Sequence, residues 1–308
     1  MNDLVILFSG QGAQKVGMGR DWAESSATAR GMVRQADEAL GYALSDVMFE
    51  GPEEELTRTS HCQPALYLHG LMGLAMLRER LPDLRVVAAA GLSLGEFTAH
   101  AAAGTFSFED GLRLVSRRGA FMEEACGATT GAMAAMVGGD EAKVRALAES
   151  AGVDVANFNA PGQIVLSGMV AAIDDAVARA KDFGIRRAIR LNVAGAYHSR
   201  LMQGAQDKLA AELAGVAMQT PGIPVVCNFE ARPVSGPAEI RTMLEKQVTG
   251  SVRWTESIQA LAAMGHRRFL ELGPGKVIAG LLGKIDKELE VLAVEDLPSL
   301  EQAVEALS

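Results

Sequence analysis

Short apolar runs alternate along the chain with longer stretches in which apolar residues recur every three or four positions. Leu4–Phe8, Val86–Ala90, Pro224–Asn228, Arg268–Leu272 and Leu289–Val294 are runs of the first kind and predict buried strands. Stretches of the second kind predict helices over 20–40, about 64–81, 108–125, 202–213, 239–248, 254–264, 277–285 and 300–307. In the second of these helices, Ser60-His61-Cys62-Gln63 reads as a capping box with Gln63 reaching back. Strand and helix in turn predict an α/β fold with a mostly parallel sheet.

The middle of the chain breaks this rhythm. Strands over 131–137, 153–158, 163–167 and 185–193 and helices over 140–150 and 170–183 follow the order βαββαβ, that of a ferredoxin-like α+β subdomain of ~70 residues. The expected organisation is a larger α/β body from 1–126 and 198–308, with residues 127–197 inserted into it. A cleft between two such units is a natural binding site.

Composition removes several classes of function. The 308 residues are 49% hydrophobic, enough for a substantial core, and carry a net charge of −9, which disfavours nucleic acid and anionic membrane as partners. No apolar run approaches the ~20 residues of a membrane span, and the first residues carry no basic leader, so a cytoplasmic location is expected. Cys62, Cys126 and Cys227 are scattered, odd in number and without metal spacing, and read as core residues. Against the acidic whole, 179–200 holds six basic residues and one acid, either a solvated strand face or a docking patch for an acidic partner.

Candidate chemistry centres on Gly91-Leu92-Ser93-Leu94-Gly95, placed directly between a predicted strand and a predicted helix. That is a nucleophile elbow: the turn cramps the serine's backbone, and flanking glycines let strand and helix approach without side chains colliding. A plain turn with a capping serine is the alternative for the pentapeptide alone. The helix start would offer the Leu94 N–H to an oxyanion. After the first strand, Ser9-Gly10-Gln11-Gly12 is glycine-rich but lacks the spacing of a dinucleotide or P-loop fingerprint.

Two distant residues complete the picture. Arg118 falls in the apolar stripe of the 108–125 helix, with Leu114, Val115 and Met122, so either an internal carboxylate or an acidic ligand must meet its charge. His198, at the end of the insert, is the leading general base for Ser93. His100 lies about 10 Å along the same helix, His61 opens a helix, His266 opens a basic run, and His69 reads as a core histidine.

Taken together these stretches resemble the malonyl-CoA:acyl-carrier-protein transacylases and related polyketide synthase acyltransferase domains. The resemblance runs through Phe8-Ser9-Gly10-Gln11-Gly12-Ala13-Gln14, Gly91-Leu92-Ser93-Leu94-Gly95-Glu96-Phe97, Arg118-Gly119, Asn157-Phe158-Asn159-Ala160-Pro161-Gly162-Gln163, Ala196-Tyr197-His198-Ser199, Gln247 and Glu271-Leu272-Gly273-Pro274-Gly275-Lys276-Val277. It implies an α/β-hydrolase-like catalytic body and ping-pong transfer from malonyl-CoA to an acidic acyl carrier protein. Ser93 would be the nucleophile and His198 its base. The N–H groups of Gln11 and Leu94 would form the oxyanion hole, Arg118 would hold the malonyl carboxylate, and Gln247 would orient the histidine. No metal or cofactor beyond the coenzyme A thioester substrate, and a monomer, are expected. A serine hydrolase or thioesterase is the alternative. The family usually has His at Leu92 and Asn-Pro beyond Gln247, where this chain has Gly250-Ser251; the first change bears on acyl preference, the second on the histidine's support.

Overall fold

Strand β1 (Leu4–Phe8) has no polar side chain and is buried throughout, so it can sit only in the interior of a sheet covered on both faces. Around it run β2 (Val86–Gly91), β3 (Gly131–Val137), β4 (Asp154–Ala160), β5 (Gln163–Met169), β6 (Arg187–Arg190), β7 (Val225–Val226), β8 (Pro233–Val234), β9 (Arg268–Leu272) and β10 (Glu290–Val294). The computed structural model describes residues 3–308. Six strands form one sheet in the order β10-β9-β1-β2-β7-β8, and every pairing except β7 with β8 is parallel. The carboxyl ends of β1, β2 and β9 therefore lie at one edge, where their loops can share a site.

The second sheet, β4-β5-β3-β6, is antiparallel, with its helices Glu141–Ala151 and Val170–Arg179 packed on one face. Strand alternation decides what each residue meets. Ala132, Ala134 and Met136 of β3 enter the core under those helices, while Met133 points the other way, toward the large body. Asn157 bridges Val252, and the Phe158 N–H donates to the Val252 carbonyl at 2.9 Å. These bonds join the small sheet to the segment after Gln247.

Helices Thr59–Arg80 and Phe108–Ala128 pack against each other beside the main sheet. The first is buried nearly all round, consistent with its run of apolar side chains. It has no capping box: it starts at Thr59, two residues earlier than the motif requires, its N-cap Arg58 makes no side-chain cap bond, and Gln63 turns inward instead. A single helix over 20–40 is also corrected. Ser26, extended, separates Arg20–Ser25 from Ala27–Leu40 and caps the second with its hydroxyl, which accepts from the Ala29 N–H at 3.2 Å. The strand expected over 224–228 is only two residues long, because the chain leaves the sheet at Cys227 and returns as β8.

The elbow shows why two glycines flank its serine. A Cβ at Gly91 would stand 2.1 Å from the Gly95 carbonyl carbon, and one at Gly95 would stand 2.2 Å from the Phe8 carbonyl oxygen. Both obstacles are backbone and cannot rotate away. Gly95→Ala should therefore destabilise the protein by about 3 kcal/mol or more, in the range of strong overpacking. Urea unfolding checks this; a midpoint equal to that of the unaltered protein would mean that the helix can slide off the sheet.

Candidate active site

Ser93 follows β2 directly, caps the helix Leu94–Ala102, and adopts φ 52°, ψ −103°, a conformation ordinary residues avoid. Surrounding bonds hold it there. Its N–H donates to Asn228 Oδ1 at 2.7 Å, and its carbonyl accepts from Gln247 Nε2 at 2.9 Å. Asn228 is anchored in turn by donating to the Gly91 carbonyl at 2.8 Å. The strain leaves the hydroxyl projecting from the end of the sheet.

His198 reaches that hydroxyl from 105 positions later in the chain, its Nε2 2.8 Å from Ser93 Oγ. Its own backbone is left-handed, with φ 54°. On the other side of the ring, Nδ1 lies 2.8 Å from the main-chain oxygen of Gln247. A carbonyl can only accept, so Nδ1 carries the proton and Nε2 is left with a lone pair for the serine. A main-chain carbonyl thus occupies the place that a carboxylate holds in a Ser-His-Asp triad.

Burial, reinforced by the nearby Arg118 cation, pushes the His198 pKa down to about 4. The ring is neutral, and able to accept a proton, wherever the pH exceeds that value. Rates of Ser93 acylation should hold as pH falls through 6.5, where an ordinary histidine would already be half protonated, and decline only toward about 4. The acid limb of kcat/KM for the acyl donor measures this. A limb centred near 6.5 would show that substrate reaches a solvated histidine.

Arg118 answers the question left by its apolar stripe. It is buried, and its hydrogen-bond acceptors are all neutral: Gln63 Oε1 at 2.8 Å, Gln247 Oε1 at 2.8 Å and Ser93 Oγ at 2.9 Å. Burial lowers its pKa to about 10, so it remains a cation at neutral pH. Its Nε has no partner among the described residues. A guanidinium desolvated among amides and a serine, within reach of the nucleophile, suits an anionic ligand far better than a structural ion pair.

A cavity of about 510 Å³ opens onto these groups. Gln11 and Leu94 line it, as do Met122, Met133, Val165 and Tyr197, so its walls come from strands of the small sheet and from loops and helices that follow the main-sheet strands. Leu94 is the first residue of its helix, whose N–H has no acceptor within the helix. Gln11 is tied sideways: its Nε2 donates to Thr59 Oγ1 at 3.3 Å, and Thr59 Oγ1 lies 2.7 Å from the Tyr197 hydroxyl. Leu92 lines the same cavity and packs beside Ile278 and Leu281. A second hollow, about 610 Å³, lies between Arg113, Arg117 and Glu212 and contains none of these residues.

Ser93, His198, Arg118 and Gln247 are thus joined by hydrogen bonds, while Gln11 and Leu94 share their cavity. Gln63, Asn228, Glu96 and Thr59 also belong to the network and were not singled out by sequence reasoning. Gln63 has the pattern of a cap residue and Asn228 that of a strand end; only Glu96 stood inside a motif. Of the basic residues in 179–200, Arg179 pairs with Asp175 at 2.6 Å and Arg200 with Asp154 at 2.6 Å, while Arg190 pairs with Asp174. That segment offers less free charge than its sequence window implies. His61 bonds the Glu55 carbonyl, His69 the Glu295 carbonyl and His100 the Thr105 hydroxyl, so these three are engaged away from Ser93.

Fold and site together define an α/β acyltransferase. Residues 5–300 match the acyl transferase domain family. The chain belongs to that family and, within it, to the malonyl CoA-acyl carrier protein transacylases: the transacylase of that name from Bacillus subtilis is 40% identical over 100% of this chain and 98% of its own. Among solved structures, the acyl-carrier-protein-S-malonyltransferase of Bartonella henselae superposes with a TM-score of 0.94 at 38% identity, covering 99% of each chain. A malonyl-transacylase solved in complex with its type II PKS acyl-carrier protein superposes with a TM-score of 0.95 at 35% identity, covering 99% of this chain and 100% of that one.

Proposed function

We propose that the protein transfers a malonyl group from malonyl-CoA to the phosphopantetheine thiol of an acyl carrier protein, through a malonyl ester on Ser93. One observation carries the reading: Ser93 Oγ sits between a neutral imidazole and a buried guanidinium, at 2.8 and 2.9 Å. A nucleophile placed against a fixed cation suits an acyl group that ends in a carboxylate.

In the first half-reaction, His198 Nε2 takes the Ser93 proton as Oγ bonds to the thioester carbon. The tetrahedral oxyanion is received by the N–H groups of Gln11 and Leu94, each such donor contributing about 3 kcal/mol to barrier lowering in enzymes of this type. Collapse breaks the C–S bond, and the imidazolium returns its proton to the departing thiolate of coenzyme A. The carrier thiol then repeats the sequence in reverse: His198 accepts its proton, sulfur attacks the ester carbon, and Ser93 leaves with the proton. Arg118 holds the malonyl carboxylate throughout, giving up its bond to Ser93 Oγ for a charged partner while Gln63 and Gln247 keep the guanidinium in place. Gln247 keeps the imidazole in its tautomer through its main-chain carbonyl.

The acceptor is supported by the malonyl-transacylase solved in complex with its acyl-carrier protein. All the side chains of this mechanism come from one chain, so a monomer suffices. No helix among the described residues is long and apolar enough to cross a membrane. The three cysteines are free and buried, which suits a reducing cytoplasm. Intact-mass labelling with a panel of acyl-CoA thioesters tests the function. Malonyl-CoA should give a single adduct mapped to Ser93 and discharged by carrier protein; release of free malonate without transfer would reject acyl transfer in favour of hydrolysis.

A further inference from the structure

Next to the serine but outside the lining of the cavity, a carboxyl group is buried with no ion-pair partner among the described residues. Glu96 lies on the first turn of the elbow helix and is wholly inaccessible to solvent. Such a group costs several kcal/mol to desolvate, so its place in the interior calls for a reason. Its Oε2 accepts two hydrogen bonds, from Gln247 Nε2 at 2.6 Å and from the Asn228 N–H at 2.9 Å. Its Oε1 has no partner among the described residues.

Those two donors are the residues that hold the machinery. Asn228 takes the Ser93 N–H through its side chain. Gln247 does more: its main-chain oxygen meets His198, its Oε1 meets Arg118, and its Nε2 meets both the Ser93 carbonyl and Glu96. Three contacts orient the Gln247 amide: Arg118 can only donate to Oε1, while the Ser93 carbonyl and Glu96 Oε2 can only accept from Nε2, Glu96 at 2.6 Å against 2.9 Å for the carbonyl. Glu96 thus makes the shorter of the two bonds that turn the NH2 of Gln247 away from the guanidinium and Oε1 toward it, and without it Nε2 is held by the Ser93 carbonyl alone.

We propose that Glu96 is a positioning residue for malonyl transfer, its Oε2 setting the orientation of the Gln247 amide and, through it, the direction in which Arg118 faces the acyl carboxylate. The proposal rests on the function given above. The acceptor oxygen, not the charge, does the positioning. Burial raises the Glu96 pKa to about 7, and the unpartnered Oε1 can carry a proton while both bonds to Oε2 persist. Glu96→Gln, with its amide oxygen in the place of Oε2, should keep the arrangement. Glu96→Leu, of similar volume but with no acceptor, should lose it.

The experiment measures initial rates of malonyl and acetyl transfer to carrier protein for the full chain and for both variants, with the folded fraction fixed by thermal melts. Glu96→Leu should lower malonyl transfer about 30-fold but acetyl transfer less than about 5-fold, since an acetyl group makes no use of Arg118. Glu96→Gln should keep the malonyl-to-acetyl ratio within about threefold of the unaltered protein. A purely structural role would scale both rates together. An unchanged ratio in Glu96→Leu, or a loss in Glu96→Gln equal to that in Glu96→Leu, overturns the proposal. If Glu96→Leu does not fold, Glu96→Asp replaces it: the shorter side chain withdraws the oxygen from Gln247, and its ratio should fall at least about fivefold, an unchanged ratio again being fatal. A lack of any malonyl adduct on Ser93 in the unaltered protein would instead reject the proposed function, a result independent of the variants.

Discussion

Ser93→Ala will form no malonyl adduct and will lose transfer by about 10⁴-fold or more, the scale seen when the nucleophile of a serine-based site is removed. The loss is chemical, not architectural. The Ser93 backbone is held by Asn228 and Gln247 through its N–H and carbonyl, and neither bond uses the side chain. Removing one oxygen leaves His198 bonded to Gln247 and Arg118 bonded to Gln63 and Gln247. The variant should therefore melt within a few degrees of the unaltered protein and still bind malonyl-CoA, because Arg118 remains in place. Mass spectrometry after incubation with malonyl-CoA decides the point. An adduct that persists on the alanine variant would move the nucleophile elsewhere, and no other hydroxyl is bonded to His198 among the described residues.

Arg118→Gln tests substrate choice. A charge-assisted pair of the kind proposed for Arg118 and the malonyl carboxylate is worth about 3–4 kcal/mol, so malonyl transfer should fall roughly 10²- to 10³-fold. Acetyl transfer should fall far less, because an acetyl group leaves that cation facing nothing; the ratio of the two rates is the readout. Stability separates this role from a structural one. Were Arg118 half of a buried ion pair, its loss would strand a carboxylate and cost about 3–5 kcal/mol. Here its acceptors are amide and hydroxyl oxygens, and the burial of its charge is itself a cost. The melting temperature should change little or rise, the trade expected where a site is kept at the expense of stability. A large drop in melting temperature with unchanged acyl preference would return Arg118 to the core.

Local pattern was enough for much of this architecture. The apolar run of β1, the elbow after β2 and the βαββαβ order of the small sheet are written in neighbouring residues, because strand alternation and helix periodicity act over a few positions. A local pattern is incomplete where a partner lies outside it. Ser60-His61-Cys62-Gln63 satisfies the pattern of a capping box, but Gln63 is claimed by Arg118, 55 residues later. The basic residues of 179–200 look unbalanced until Asp174, Asp175 and Asp154, all outside that window, are brought alongside. Asp175 stands one turn from Arg179 on the same helix, but Asp154 reaches Arg200, and Gln63 reaches Arg118, only through the fold.

What the sequence by itself determined is a serine on a cramped turn between strand and helix, an arginine on a helix stripe where a bare charge is costly, and a histidine just after the βαββαβ stretch. Only the tertiary structure decided that these three meet, that a main-chain carbonyl supports the imidazole, and that one buried glutamate steadies the residue between them. The reason is the range of the forces involved. Backbone geometry and amphipathic packing are set by residues a few positions apart, whereas hydrogen bonds of about 3 Å do not register sequence separation and exist only once the sheet has brought its loops to one edge.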